Sequence, residues 1–250
     1  MADKNVIVVE NLVAKFGPDL ILDGISFQVS KGEILGILGG SGCGKTTLMR
    51  HMVGLNIPIA GRVLIEGIEV SSNDSKDQSR AMRKIGILFQ SSALFGSMTL
   101  SENVSLAILE YTDLPAHMVT HLARMKLCMV GLGGYENHLP SEISGGMKKR
   151  AALARALALN PAILFLDEPT AGLDPITAAG IDDLILHING TTGTTMVIIT
   201  HELESILTVT QRVIMLDKRT KGIIAQGNPA GLKKNSTNPT VKNFFNRKAG

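Results

Sequence analysis

At 250 residues the chain can bury a substantial core, as one large domain or two small ones. Its mean hydropathy of +0.21 invites a membrane reading, yet no apolar run approaches the ~20 residues that a spanning helix needs. Two cysteines make no disulfide framework, and the net charge of +3 gives no global preference for nucleic acid.

The start, Met1-Ala2-Asp3-Lys4-Asn5, lacks the basic end and apolar segment of a signal peptide, and with the cysteine usage this fits a reducing cytosol. Val6 to Glu10 is a β-branched run that predicts an opening strand, followed by Leu12-Val13-Ala14-Lys15-Phe16. A Gly17-Pro18-Asp19 turn leads to a further strand region, Ile21 to Val29, and Ser30-Lys31-Gly32 turns into a buried apolar strand, Ile34 to Leu38. The stretch Gly39-Gly40-Ser41-Gly42-Cys43-Gly44-Lys45-Thr46 then fits G-x-x-x-x-G-K-[ST], a loop whose backbone N–H groups cradle phosphates. Thr47 and the residues after it continue as helix, whose N-terminus adds partial positive charge. Lys45 would reach β/γ-phosphates and the Thr46 hydroxyl would ligate Mg²⁺. Cys43 reads either as a small residue that fits the loop or as a tuned redox thiol, with no partner cysteine near it in sequence.

Gly61 to Gly67 alternates between glycines and predicts a hairpin arm. Ser71 to Ser79 is a polar tract, a loop or a helix start, and Lys84 to Phe89 is a buried strand ending at Gln90. From Ser91 to about Leu159 the pattern turns helical, with helix starts at Ser101-Glu102-Asn103 and Leu114-Pro115. Leu122, Met125, Met129 and Leu132 approximate one apolar face, expected to pack in the core. His117 and His121 have the spacing of a metal pair but lack the adjacent Glu of H-E-x-x-H, so a surface helix is expected. Ser144 is a good N-cap for a helix from Met147 to Leu159 that Asn160-Pro161 ends. Strands at Ile163–Leu166, Thr195–Thr200 and Val213–Leu216 alternate with helices at Ile176–Ile188 and Leu203–Thr210, which implies a parallel sheet covered on both faces. Gly222 to Gly227 closes the strand series, and Pro229 to Gly250 reads as a helix with a looser tail carrying Val241, Phe244 and Phe245. After Asp217 there are eight basic and no acidic residues, which leaves 17 basic against 22 acidic in the first 217, a net of −5. That basic end suits anionic lipid, an acidic partner or simple solvation, and it carries few aromatics for nucleic acid.

Four strand-like runs end in polar residues able to serve one phosphate site: the glycine loop, Gln90, Asp167-Glu168 and His201. In an open α/β sheet ligands bind at the carboxyl ends of the strands, so these residues are expected to converge. Asp167 closes an apolar strand and would hold Mg²⁺, and Glu168 would polarise or orient an attacking water. His201 would contact the γ-phosphate and Gln90 would touch Mg²⁺ or water. Ser144-Gly145-Gly146 would form a second phosphate-facing helix start.

On these motifs, in this order, the chain resembles the ATP-binding cassette (ABC) family over about residues 5–230. The resemblance implies an α/β fold of the P-loop NTPase (RecA-like) kind. It has a mostly parallel sheet core, an N-terminal antiparallel β subdomain and a helical signature subdomain at about 91–159, with 231–250 left as a basic C-terminal tail. It implies that Phe16 stacks on adenine, and that two ATP molecules with Mg²⁺ lie at the interface of a head-to-tail homodimer. Each would be held by Gly39 to Thr47 of one subunit and by Ser144, Gly145 and Gly146 of the other, with Asp174 in the connecting Ala171-Gly172-Leu173-Asp174 loop. Against the family pattern, Phe16 stands where Tyr is common, Ile143 replaces Leu, and Met147 replaces Gln; the resemblance implies that the last change would weaken a polar contact near the ribose.

The string Ile143 to Ala156, Ser92 to Thr99, Met125-Lys126-Leu127 and Asp174 to Thr177 further resemble the MlaF-type ATPases of envelope lipid transport. That resemblance implies an MlaE-like permease, an Mce-domain (MlaD-like) protein and a STAS-domain (MlaB-like) protein as partners, no nucleic acid, and a place on the cytoplasmic face of the inner membrane. An importer ATPase for amino acids, metals or anions shares every catalytic residue and stays open as the alternative. A non-transport regulator is the other rival, opposed by the absence of a long coiled-coil insertion.

Overall fold

The computed structural model describes residues 5–71 and 75–247. The readings of Met1 to Lys4, of the middle of the Ser71–Ser79 tract and of Lys248 therefore fall outside the described residues. The first two strands, β1 (Asn5–Phe16) and β2 (Asp19–Ser30), form one long antiparallel hairpin with Phe16 opposite Asp19. The two runs expected at 6–10 and 12–16 are a single strand whose register shifts between Val9 and Leu12. Asn11 supplies that bulge with φ +47°, a left-handed conformation that Asn adopts more readily than most residues.

β3 (Ile34–Gly39) leads through the glycine loop to α1 (Lys45–Met52), and β4 (Ala60–Ile65) and β5 (Ile68–Glu69) complete a four-stranded antiparallel sheet in the order β2-β1-β4-β5. After α2 (Ser75–Met82) and β6 (Ile85–Leu88) come three helices, α3 (Leu100–Tyr111), α4 (Ala116–Met129) and α5 (Gly145–Ala156). The chain then alternates through β7 (Ile163–Asp167), α6 (Pro175–Thr192), β8 (Thr195–Ile199), α7 (Leu203–Val209), β9 (Arg212–Leu216) and β10 (Ile223–Gly227). It closes with α8 (Pro229–Asn235) and α9 (Pro239–Phe245).

The second sheet has the order β10-β9-β3-β8-β7-β6, parallel throughout except for the antiparallel edge strand β10. Its central strands are buried on both faces, as the continuous apolar runs require. Period two still sorts their side chains. Leu35, Ile37 and Phe165 pack with the antiparallel sheet and α1, whereas Ile34, Leu164 and Leu166 pack under α3 to α6. Because β3, β6, β7 and β8 run the same way, their carboxyl ends share one edge, and that edge carries the site.

Three local expectations differ from the structure. The buried stripe of α4 is Val119, Ala123, Lys126 and Leu127, while Met125 and Met129 are exposed. Lys126 buries its aliphatic stem and donates from Nζ to Asn160 Oδ1 at 2.5 Å. α5 starts at Gly145 rather than Met147, because the Ser144 hydroxyl accepts from the Met147 N–H and so places both glycines in the first turn. The stretch read as a looser tail holds the helix α9, capped by Asn238, which buries Val241 and Phe245 against α7 and β9.

Candidate functional site

The glycine loop owes its shape to positive-φ residues that β-carbons would not allow. Gly39 leaves β3 at φ +146°, and a Cβ there would collide with Cys43 Sγ and the Leu216 carbonyl. Gly44 caps α1 in the left-handed region, φ +100°, with Ile21 and Leu22 close behind it. The Lys45 ammonium is held at the loop, donating to Gly39 O at 2.7 Å and Gly40 O at 3.1 Å. No acidic side chain occupies the first turn of α1, so its N-terminal dipole faces the loop uncompensated. Cys43 is buried, and burial pushes its thiol above the ordinary value against the pull of Lys45. That is the reverse of a tuned redox thiol, and Cys43 serves as a small buried residue.

Thr46, Gln90 and Asp167 come from three elements and line one cavity of about 480 Å³, together with Arg50 and Ser91. The pairing of β6 with β7, Leu88 against Leu166, brings Gln90 to the same strand ends as Asp167 and Glu168. Asp167 is buried, and its carboxyl is pushed upward by that burial and then by Glu168, with Lys149, Lys45 and Arg50 opposing. A hydroxyl, a carboxamide and a carboxylate suit Mg²⁺, which takes few protein oxygens and keeps water or phosphate oxygens for the rest. Among the described residues no three His, Cys, Asp or Glu side chains are grouped so as to hold a metal ion. The residues fit a Mg²⁺ that arrives with a phosphate.

Glu168 follows β7 in the left-handed region, φ +48°, its N–H bonded to Ile199 O at 2.8 Å. A non-glycine residue there is strained, and such strain collects where an exact side-chain direction matters. Its Oε1 lies 2.7 Å from His201 Nδ1, and its Oε2 is buried without a hydrogen-bond partner. His201 thus stands against Glu168, a pairing that neither residue's sequence context announces. With Glu168 ionised, Nδ1–H is the donor and Nε2 faces the 3.6 Å contact with Glu202.

Other expected residues lie apart from this cavity. Ser144 and Gly145 are exposed at the start of α5, and Gly146 packs so closely on Thr177 that a Cβ would collide. Phe16 is 82% exposed at the end of β1. Asp174 caps α6, accepting from Ile176 N at 3.1 Å and Thr177 N at 3.0 Å, and hydrogen bonds from Thr177 hold its carboxyl below the usual range. Sequence reasoning missed Lys149, which is buried and donates to the carbonyls of Gln90 at 2.7 Å and Glu168 at 2.9 Å. A lysine in a helix otherwise read as carrying a phosphate-facing start was the available signal.

The family model described as ABC transporter matches residues 22–171. The chain is 38% identical to the intermembrane phospholipid transport system ATP-binding protein MlaF of Haemophilus influenzae over 90% of its own length and 84% of that protein. It is also 38% identical to the probable ribonucleotide transport ATP-binding protein mkl of Mycobacterium leprae, over 96% of this chain and 68% of that one. Among solved structures, the ATP-binding cassette MJ0796, a dimer in a post-hydrolysis state bound to ADP and Pi, superposes with a TM-score of 0.80. That match is 30% identical and covers 89% of this chain and 98% of the other.

Proposed function

The chain belongs to the ABC transporter family and is its ATP-hydrolysing subunit, using ATP with Mg²⁺; we propose that it drives phospholipid transport across the bacterial envelope from the cytoplasmic face of the inner membrane. The observation that carries the catalytic part is the Glu168 carboxylate, hydrogen-bonded to His201 through one oxygen and buried without a partner on the other.

In this reading Phe16 stacks on adenine, the loop from Gly39 to Thr47 holds the triphosphate through its backbone N–H groups, and Lys45 moves from the loop carbonyls to the β/γ-phosphates. Thr46, Gln90 and Asp167 would hold Mg²⁺, which supplies charge neutralisation at the phosphates when bound. Glu168 Oε2 accepts a proton from the water whose oxygen attacks the γ-phosphorus as the bond to the leaving ADP oxygen breaks. His201 fixes the direction of that carboxylate by donating to Oε1. Ser144 and Gly145 are exposed and, with the buried Gly146 beside them, lie outside the cavity, so they serve the γ-phosphate of a second copy, as Asp174 serves the loop that joins the two sites. One nucleotide-binding domain spans about 5–230, with its helical part at 91–159.

The lipid assignment rests on the similarity to MlaF, whose name states intermembrane phospholipid transport. An MlaE-like permease, an MlaD-like Mce-domain protein and an MlaB-like STAS-domain protein are the partners this reading names. The similarity to mkl favours the second reading, a permease for a small solute such as a nucleotide. Pull-down of the tagged chain from membranes, with mass spectrometry of proteins and bound small molecules, separates them. The proposal expects an Mce-domain protein and phospholipid, and a solute-binding protein without either would overturn it.

A further inference from the structure

α5 sends three cationic side chains into the backbones of other elements. Arg150 donates to Val130 O and Gly180 O, and Arg155 donates to Ser92 O at 2.8 Å and Ala93 O at 2.6 Å. Lys149 immediately precedes Arg150 in the sequence and is 5% exposed, with its ammonium on Gln90 O and Glu168 O. Its two acceptors stand two residues beyond the paired Leu88 and Leu166, so it bridges the ends of neighbouring strands β6 and β7. The backbone it and Arg155 grip is unusual: Ser92, Ala93 and Glu168 all take positive φ. Left-handed non-glycine residues persist only where their surroundings overdetermine them, and two charge-assisted hydrogen bonds to carbonyls are such a constraint. Five residues before Lys149, Ser144 begins the same helix, exposed. A rigid helix of this length transmits a displacement at its first turn to the lysine.

For a purely structural role, any carbonyls beside this helix would serve as acceptors. Here the acceptors are the main-chain oxygens of Gln90, whose side chain lines the Mg²⁺-fitting cavity, and of Glu168, whose carboxylate is read above as the general base. We propose that Lys149 is a positioning residue for hydrolysis, which locks the Gln90 and Glu168 main chains together and makes the aim of the Glu168 carboxylate depend on the seating of α5. Engagement of the helix start by phosphate is thereby felt at the general base through one side chain. The inference rests on the reading of Glu168 as that base.

The test uses the full chain with Lys149→Met, which keeps length and loses every donor, Lys149→Arg, which keeps donors, and Glu168→Gln as reference. Lys149→Met is expected to lower kcat roughly ten- to a hundredfold, the scale of lost hydrogen bonds to a charged group, with KM for ATP within about twofold. Lys149→Arg should recover most of that loss. Lys149→Met added to Glu168→Gln should slow turnover no further than Glu168→Gln alone, since the lysine acts through the carboxylate. Melting temperatures of all variants are measured beside the kinetics, and if Lys149→Met is unfolded at the assay temperature, Lys149→Gln takes its place. An unchanged kcat in Lys149→Met while Glu168→Gln is inactive overturns the inference and leaves Glu168 standing. So does a loss in Lys149→Met and Lys149→Arg alike that follows melting temperature. Normal turnover in Glu168→Gln instead removes the base assignment itself.

Discussion

Glu168 is held in a costly conformation with one carboxylate oxygen on His201 and the other buried and unpartnered. Replacing it by Gln keeps size and the contact to His201 but removes proton acceptance. Turnover should fall by roughly 10²–10³, as when one preorganised group is lost, while ATP binding persists; equilibrium nucleotide binding beside phosphate release checks both. Asp182 offers a test of a different kind. It is buried in α6, accepts from Ser205 Oγ at 2.6 Å through Oδ2, and leaves Oδ1 without a partner. Burial pushes its carboxyl above the ordinary 3.8, with Asp183 adding to the shift and Ser205 opposing it. A raised folded value means stability fully present below 3.8 and lost as pH rises through the folded value. Asp182→Asn should therefore melt higher than the parent at neutral pH, with the difference shrinking on acidification, in thermal melts across that range. The polar residues ending β3, β6, β7 and β8 were legible because a strand-end polar group after an apolar run is a local pattern. The bond between Glu168 and His201 was not, since it joins residues 33 apart that meet through the pairing of β7 with β8.

Among the elements, the segment before α3 depends on one side chain. Asn103 is fully buried, accepts from Phe95 N at 2.8 Å, and donates to the carbonyls of Phe95, Met98 and Thr99. Asn103→Ala orphans several buried backbone groups at once and should cost about 3 kcal/mol, whereas removing the Thr99 capping box should cost about 1 kcal/mol. Urea unfolding midpoints of the two variants rank them. The apolar strands and the alternation of helix and strand follow from sequence patterns that one residue type satisfies at a time. The face of α4 does not, because ranking Met above Lys ignores that a lysine stem is apolar and that Asn160, at φ +50°, waits for its head. Likewise Lys149 and Arg155 find acceptors only once the β6 and β7 ends are placed beside α5.

At the scale of the whole molecule the parallel sheet gathers Thr46, Gln90, Asp167, Glu168 and His201 on one edge and leaves Ser144 and Gly145 exposed elsewhere. In the proposed reading, a phosphate site with one half on the sheet and the other on a remote helix start is completed by a second copy in a two-fold arrangement. Partner choice and cargo follow from surfaces and subunits beyond this edge, which is why the catalytic residues of a lipid transporter and a solute importer read alike. The trans arrangement makes a sharp demand on mixtures of inactive variants. Lys45→Ala spoils only the glycine-loop half, and Ser144→Arg spoils only the helix half. In a mixed dimer one site carries both lesions and the other carries neither. ATPase activity of the two inactive proteins, refolded or co-expressed at equal amounts, should therefore recover to about a quarter of the parent's, half of the dimers having one intact site of two. A mixture as inactive as either variant alone, although the mixed dimer forms, would contradict the account.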